Sequence, residues 1–325
     1  MKLAVLGATG AVGRTMLEVM AERALPVDEL VPLASARSAG ATVAFGGRDW
    51  LVREPSEAAF AGCDVALFSA GAARSRVWGP AAAAAGTAVV DNSSAWRMDV
   101  DVPLVVPEVN PHAINSRPRG IIANPNCATI QIVVPLEALR RIAGLRRVVT
   151  TTFQSVSGAG QQGLAALDAE SQGGTATDSP FVQRIAGNVV PWIGARLANG
   201  WNEEEEKIRQ ETRKILALPD LRVTATCVRV PVRVGHAASV TVELDRAAPR
   251  AQLHEALASM PGISVYGDEA DPTPIDVAGT DAIRVGRLRI DPDDPRVVHF
   301  WVVADNLRKG AATNAVQIVE RVLHG

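Results

Sequence analysis

Short apolar runs alternate with alanine-rich segments through residues 1–126 of the chain. The segments include RTMLEVMAERAL and AARSRVWGPAAAAAG, and the apolar runs are KLAVLG, ELVPLAS, DVALFSAG, TAVVDNS and GIIANPN. Strands that helices cover on both faces read as continuous rather than alternating apolar runs. The pattern therefore predicts an N-terminal, doubly wound α/β domain with a parallel sheet over residues 1–126.

A different pattern begins after residue 146, where apolar and polar residues alternate along longer runs. These runs are RRVVTTTFQSV, LRVTATCVRVPV, AASVTVELD, DAIRVGRLRI and RVVHFWVVADN. Alternation is typical of strands with one face on a core and the other toward solvent or a partner. We expect an α+β domain with a mostly antiparallel sheet over residues 127–305. Within it, NEEEEKIRQETRKILAL predicts a helix with Asn202 as the candidate N-cap.

The C-terminal segment, residues 306–325, has apolar residues at helical spacing. We expect this helix to pack back on the first domain. A chain of 325 residues with 47% apolar content has enough material for two cores.

Charge and cysteine usage exclude several classes of protein. The formal net charge is −2 and no basic stripe is interleaved with aromatic residues, so neither nucleic acid nor a membrane surface is an expected partner. The chain opens on an apparent strand rather than a signal peptide, and no apolar run reaches the ~18 residues of a spanning helix. Its three cysteines form no CxxC pair. We expect a cytoplasmic enzyme that holds no metal.

A glycine-rich stretch, GATGAVG, places Gly7, Gly10 and Gly13 between the first strand and the first helix. In that position glycines let backbone N–H groups approach a pyrophosphate, whose charge the helix N-terminus favours. The stretch predicts a dinucleotide site in a Rossmann-like domain. Where an NAD enzyme usually has a carboxylate after the second strand, this chain has Arg37 and Ser38. A guanidinium and a hydroxyl suit a 2′-phosphate, which favours NADP.

A single cysteine, Cys127, follows the turn Asn-Pro-Asn and begins an apolar helix. Capping by Asn126 would put its thiol at a helix N-terminus, where thiolates are stabilised. It is therefore a candidate nucleophile, although cysteines are often core residues, as the surroundings of Cys63 and Cys227 indicate. Such a nucleophile needs an acid/base partner. His236 lies between two strands after a glycine and is the candidate that the sequence offers.

Seven ordered motifs, covering nearly the whole chain, resemble the aspartate-β-semialdehyde dehydrogenase family. They are GATGAVG, LASARSAG, NPNCATIQ, QSVSGAGQQG, EEEEKIRQETRKIL, VRVPVRVGH and DNLRKGAATNAVQIVE. The resemblance implies reversible conversion of β-aspartyl phosphate and NADPH to aspartate semialdehyde, NADP and phosphate, on the route to lysine, threonine and methionine. It also implies a homodimer formed through the sheet of the second domain.

The resemblance assigns catalytic roles to three residues. Cys127 matches the nucleophile that forms the acyl thioester, His236 the acid/base, and Gln154 the glutamine that positions the substrate. Arg229 matches the arginine that binds the substrate α-carboxylate, for which a bidentate fork is suited. Glu204 matches the acid that meets the substrate amino group.

The remaining matches concern phosphate and cofactor. Arg97 and Lys207 match the cations that bind the phosphate or phosphoryl group. The positions that match cofactor contacts are Gly7, Thr9, Gly10, Ala11, Val12, Gly13, Arg37, Ser38, Ser157, Gly158 and Asn306.

Three alternative functions stay open. N-acetyl-γ-glutamyl-phosphate reductases share fold, thiol chemistry and cofactor, but Glu204 and Arg229 favour a free amino acid. A catalytically silent binding relative would not need Cys127, His236 and Gln154 together. A Cys-His hydrolase would leave the glycine-rich loop without a role.

Overall fold

The computed structural model describes residues 1–324, and the chain divides into two units. Met1–Asn126 and the residues from Ala311 onward form the first unit, and Cys127–Gly310 form the second. Residues 306–310, which the helical spacing groups with the C-terminal helix, thus belong to the second unit. Among residues 1–324, no helix has both the length and the apolar character needed to cross a membrane.

A parallel sheet organises the first unit. Its elements are β1 (Lys2–Leu6), α1 (Ala11–Glu22), β2 (Glu29–Leu33), β3 (Thr42–Phe45), β4 (Arg48–Leu51), α2 (Glu57–Phe60), β5 (Val65–Phe68), α3 (Ala72–Ala84), β6 (Ala88–Asp91) and β7 (Ile121–Ala123). Five strands pair in the order β2-β1-β5-β6-β7, all parallel. Every residue of β5 is buried, as expected for a strand covered on both faces. The predicted doubly wound domain is confirmed.

The hairpin β3–β4 is a feature that the hydrophobic runs did not predict. Its two strands pair antiparallel as a separate sheet. Gly46 and Gly47 join them with φ values of 60° and 74°. Positive φ at both positions is what a type I′ turn requires, so two glycines suit it.

A mixed sheet organises the second unit. Its elements are α4 (Cys127–Ala143), β8 (Arg147–Gln154), α5 (Gly160–Ser171), α6 (Glu203–Ile215), β9 (Arg222–Arg229), β10 (His236–Glu243), α7 (Arg250–Ala258), β11 (Ile263–Val265), α8 (Pro274–Val277), β12 (Ile283–Ile290) and β13 (Val297–Ala304). Six strands pair in the order β11-β12-β13-β10-β8-β9. Three of the five pairings are antiparallel, while β8–β9 and β11–β12 are parallel. The mostly antiparallel sheet is confirmed.

Helix α6 begins where the sequence places it. Asn202 accepts a hydrogen bond from the Glu205 N–H at 2.9 Å, and the Glu205 carboxylate accepts one from the Asn202 N–H at 3.0 Å. This reciprocal capping box satisfies two backbone donors at the helix start. The N-cap prediction for Asn202 is confirmed, and the box fixes the start of the helix that carries Glu204 and Lys207.

The C-terminal helix α9 (Thr313–His324) belongs to the core of the first unit. Its apolar residues, among them Val316 and Val319, lie in one hydrophobic cluster with Met16 and Met20 of α1. Burial of this apolar face packs the C-terminal helix in the first unit, which also contains the N-terminal residues of the chain.

Candidate active site

The glycine-rich loop of the first unit is held by close backbone contacts. A Cβ on Gly7, whose φ is 93°, would lie 2.4 Å from the carbonyl oxygen of Ser69. A Cβ on Gly13 would lie 2.1 Å from the carbonyl oxygen of Gly7. Gly10 differs, because its φ is −76° and its added Cβ would meet that same oxygen at 3.4 Å, an ordinary contact. Sterics therefore require glycine at two of the three positions.

The start of α1 offers the donor set of a phosphate site. Gly10 is its N-cap and makes no side-chain cap bond. The first backbone N–H groups of a helix, here those of Ala11 and Val12, have no acceptor within the helix and favour anions. Thr9 is half-buried, while Arg37 is exposed in the turn after β2, beside the half-buried Ser38. The start of α1 thus fits a dinucleotide phosphate, in agreement with the predicted dinucleotide site.

Cys127 is the first residue of α4, and its exposure sets it apart from the other cysteines. It is half-buried, whereas Cys63 and Cys227 are buried. Burial raises the pKa of the Cys227 thiol far above its ordinary value, which makes that thiol inert. A Cβ on Gly310 would lie 3.0 Å from the Cβ of Cys127, so Gly310 lets the chain pass close to the cysteine.

His236 begins β10 and is fully buried. Its Nδ1 accepts a hydrogen bond from the backbone N–H of Ser155 at 3.0 Å, and the Ser155 Oγ lies at the same distance. Its Nε2 has no hydrogen-bond partner among the described residues. Burial, followed by the charge of Arg229, lowers the pKa of His236 to about 3, and Glu204 opposes the shift. The ring is therefore neutral at neutral pH.

The parallel pairing of β8 with β9 places Gln154 opposite Arg229 at the strand ends. The Gln154 Nε2 donates to the Glu204 Oε1 at 3.0 Å, and Thr152 Oγ1 donates to the Gln154 Oε1 at 3.0 Å. The Lys207 Nζ lies 3.3 Å from the Glu204 Oε2. Three of the predicted site residues are thus connected, because both Gln154 and Lys207 bind the Glu204 carboxylate.

Arg229 is buried, yet it keeps polar and charged neighbours. Its Nη1 donates to the backbone carbonyl of Ser155 at 2.7 Å, and its guanidinium lies 5.7 Å from the ring centroid of Phe181. Burial lowers the pKa of Arg229, and attraction to Glu204 and then to Cys127 opposes that shift. An arginine is charged in proteins at any ordinary pH, so this site holds a fixed cation near the candidate nucleophile.

Of three predicted cofactor residues, Gly158 borders His236, while Ser157 and Asn306 are linked to it through the Ser155 hydroxyl. A Cβ on Gly158 would lie 2.8 Å from the Arg229 Nη1 and 3.2 Å from the His236 Nε2. Ser157 and Asn306 are buried, and the Ser157 Oγ donates to the Asn306 Oδ1 at 3.1 Å. The absence of a side chain at Gly158 keeps the space beside Nε2 open.

Arg97 lies in the first unit and is almost fully buried. Its Nε donates to the backbone carbonyl of Asn124 at 3.0 Å, and its Nη2 donates to that of Asn92 at 2.9 Å. Two carbonyls therefore fix the plane of this guanidinium at the carboxyl end of β6.

Sequence reasoning missed Ser155, Gly235 and Gly310 as parts of the site. Gly235 has a φ of 95°, and its N–H donates to the Asn306 Oδ1 at 2.9 Å. The glycine directly before the candidate histidine was the available signal for that turn. Ser155 follows Gln154 without any distinguishing pattern. Among residues 1–324, no cluster of three or more His, Cys, Asp or Glu side chains is arranged to hold a metal ion.

Known proteins resemble this chain over nearly its whole length. The family model "Semialdehyde dehydrogenase, NAD binding domain" matches residues 2–117, and "Semialdehyde dehydrogenase, dimerisation domain" matches residues 136–309. Aspartate-semialdehyde dehydrogenase 2 of Vibrio cholerae is 48% identical over 324 residues, which cover 98% of this chain and 96% of that protein. Aspartate-semialdehyde dehydrogenase of Aquifex aeolicus is 46% identical over 329 residues, with coverages of 98% and 97%.

Solved structures agree with these relatives. The crystal structure of Vibrio cholerae aspartate semialdehyde dehydrogenase II complexed with ASA has a TM-score of 0.97 and 46% identity, covering 99% of this chain and 98% of that one. The Candida albicans enzyme with NADP has a TM-score of 0.78 and 26% identity at the same coverages. With identities well above those that unrelated chains reach, and with both domain models matched in order, this chain belongs to the aspartate-semialdehyde dehydrogenase family.

Proposed function

We propose that this chain catalyses the reversible, NADP-dependent reductive dephosphorylation of β-aspartyl phosphate to aspartate semialdehyde, a step in amino-acid biosynthesis. The observation that carries the proposal is the charge arrangement of the second unit. Arg229 interacts electrostatically with both Glu204 and Cys127. A free amino acid brings a carboxylate for the arginine and an ammonium group for the glutamate, which leaves its side-chain carbonyl for the thiol.

The chemistry then follows from the residues of the second unit. The Cys127 thiolate attacks the acyl carbon of β-aspartyl phosphate, the C–O bond to phosphate breaks, and an acyl thioester forms. When bound, NADPH supplies the hydride that adds to the thioester carbon. The resulting alkoxide re-forms a carbonyl while the C–S bond breaks, which releases the aldehyde and the thiolate. His236 is assigned as the acid/base of the reaction, and Gln154 as the residue that positions the substrate and the thioester.

The cofactor proposal rests on the start of α1 and on the turn after β2. The N–H groups of Ala11 and Val12 suit the pyrophosphate, and Arg37 with Ser38 suits a 2′-phosphate. Ser157 and Gly158, beside His236, suit the end of the cofactor that carries the hydride. NADP is therefore proposed over NAD.

Replacing Arg37 with alanine should weaken NADP binding by about 10- to 150-fold, because a charge-assisted bond contributes roughly 1.5–3 kcal/mol. NAD binding should change little, since NAD offers this arginine no phosphate. Dissociation constants for both cofactors measure the effect, and Arg48→Ala on the nearby exposed hairpin is the matched control. Parallel losses for both cofactors would mean that Arg37 supports the shape of the turn.

Replacing Lys207 with alanine should raise the phosphate KM in semialdehyde oxidation, because the positive charge proposed to bind phosphate is lost. The increase should be about 10-fold, because the amine is partly exposed and solvent partly screens its interactions. The KM for aspartate semialdehyde should rise much less. Lys214→Ala, later on α6, is the control and should change neither constant. Equal increases in both constants for Lys207→Ala would assign Lys207 to the amino acid rather than to phosphate.

The function is tested by the absorbance of NADPH formed from aspartate semialdehyde, with and without phosphate. N-acetylglutamate semialdehyde is the second substrate, because an N-acetyl-γ-glutamyl-phosphate reductase would prefer it. We expect phosphate-dependent reduction of NADP with aspartate semialdehyde. Preference for the acetylated substrate, or turnover that ignores phosphate, would overturn the proposal.

We further propose a homodimer in the cytoplasm. The residues of β8 alternate between buried and partly exposed positions, and Phe153 and Trp301 on the sheet pack with ring centroids 5.6 Å apart. A partner copy on this partly exposed face suits the dimerisation-domain match. The free cysteines suit a reducing compartment. Light scattering should give a mass near twice 34.2 kDa.

A further inference from the structure

Thr152 carries a buried hydroxyl on the strand that ends at Gln154. It lies on β8, which pairs with β10 on one side and with β9 on the other. Side chains two residues apart point to the same face of a strand, and Thr152 and Gln154 both lie on the buried face of β8. The Thr152 side chain is fully buried. A valine has the same shape and suits a strand as well, so packing does not explain the hydroxyl.

The orientation of the Gln154 amide follows from its two hydrogen bonds. The Glu204 carboxylate binds the Lys207 ammonium group at 3.3 Å, and an ionised carboxylate offers only acceptors. The amide atom that lies 3.0 Å from the Glu204 Oε1 is therefore the donor, Nε2. The amide oxygen then faces Thr152, whose Oγ1 lies 3.0 Å away and must donate its hydrogen.

This arrangement leaves one hydrogen of the Gln154 amide available to a ligand. The amide nitrogen has two hydrogens, and Glu204 binds one of them. Within residues 1–324, Nε2 donates to no second acceptor. The bond to Thr152, at the other end of the amide, prevents rotation about the bond to Glu204. Two bonds at opposite ends thus fix the plane of the amide and the direction of its remaining N–H.

Resting on the function proposed above, we infer that Thr152 is a positioning residue whose hydroxyl fixes the Gln154 amide, so that the remaining N–H of Gln154 is directed at the acyl group of the bound substrate. The family resemblance assigns the glutamine to the substrate and the thioester, and it gives Thr152 no role. Thr152 acts through Gln154 and does not contact the substrate. A donor that is held in place before the reaction needs no reorganisation during it.

Thr152→Val removes the hydroxyl and keeps the shape of the side chain. The Gln154 Oε1 then becomes a buried acceptor without a donor. We expect kcat to fall by about 5- to 150-fold, the range that corresponds to one unpaired buried group. The KM for aspartate semialdehyde should change little, because Glu204 and Arg229 remain. Thr152→Ser keeps a hydroxyl and should recover most of the loss, and a serine variant as slow as the valine variant would contradict the inference.

Thr150 provides the matched control on the same strand. It lies two residues before Thr152 on the buried face of β8, and its Oγ1 has no hydrogen-bond partner among the described residues. Thr150→Val therefore makes the same change of side chain without removing a hydrogen bond. We expect its kcat and KM to match those of the unmodified enzyme. If Thr150→Val lowers kcat as much as Thr152→Val does, the effect comes from the packing of β8 and the inference is wrong.

A double-mutant cycle tests whether Thr152 acts through Gln154. Gln154→Met keeps the approximate length of the side chain but removes the amide. In that background, Thr152→Val should lower kcat no further, because no amide remains to be held. A further loss as large as that in the single variant would give Thr152 an independent role and would overturn the inference.

Crystal structures of Thr152→Val and Thr152→Ser without substrate give a readout that does not depend on turnover. In the valine variant we expect the Gln154 Nε2 to lie beyond about 3.5 Å from the Glu204 Oε1, or the amide to occupy two orientations. In the serine variant the amide should keep its position. An unmoved amide in Thr152→Val would show that the hydroxyl does not hold it. Because no substrate is present, this failure is distinct from failure of the NADP reduction assay, which tests the proposed function.

Discussion

Replacing Cys127 with alanine is expected to lower turnover by at least about 10⁴-fold, the scale of loss when a covalent nucleophile is removed. The thiol forms the bond to the acyl group, and no other side chain in the proposed mechanism replaces that bond. NADP binding should be nearly unchanged, because the proposed cofactor contacts do not include the sulfur. The rate of NADPH formation and the dissociation constant for NADP measure the two effects.

Cys63→Ala is the matched control for this substitution. Cys63 is buried in the first unit, where its Sγ donates to the carbonyl of Ala59 at 3.5 Å. We expect the control to keep full turnover, although removal of a buried atom lowers the free energy of unfolding somewhat. Substantial semialdehyde oxidation by Cys127→Ala would rule out a thioester on this residue.

Replacing Arg229 with lysine should raise the KM for aspartate semialdehyde by about 10- to 150-fold, because it removes one charge-assisted bond of roughly 1.5–3 kcal/mol. Lysine keeps the positive charge but lacks the planar fork. In the present structure the Nη1 of Arg229 is already bound to the Ser155 carbonyl. A buried lysine would have only one ammonium group, which cannot bind both that carbonyl and a substrate carboxylate with the geometry of a guanidinium.

Arg233→Lys provides the comparison, because Arg233 is exposed and pairs with Asp168 on the surface. Steady-state kinetics of both variants should show a normal KM for the control. The proposal for Arg229 also predicts that the phosphate KM changes little. A rise confined to the phosphate KM would reassign Arg229 to the phosphoryl group.

Most of the fold was predictable because buried positions form recognisable patterns of apolar residues in the sequence. All five parallel strands of the first unit coincide with continuous apolar runs, since helices cover both faces. The hairpin β3–β4 was missed because its alternation is short and much of it is exposed. The strand β11 was missed because it has three residues, too few to show a period. The parallel pairing of β8 with β9 joins distant parts of the chain, and the sequence of neither strand predicts it.

The candidate site was predictable as a set of residue types but not as a geometry. Family motifs named Gln154, Glu204 and Arg229, yet their contacts depend on the register of β8 with β9 and on the path of α6. The Ser155 group that donates to the His236 Nδ1 is a backbone N–H, and every residue except proline has one. No sequence pattern therefore distinguishes Ser155 from its neighbours.

The three glycines of the loop before α1 are subject to different evolutionary constraints. Gly7 and Gly13 are required by contacts of the backbone with itself, so a descendant that lost its nucleotide would still retain both. Gly10 has room for a methyl group and an ordinary φ, so under the proposed function the approach of the dinucleotide is what favours glycine there. Among relatives of uncertain activity, a bulky residue at position 10 beside intact glycines at 7 and 13 should mark chains that have kept the architecture and abandoned the cofactor.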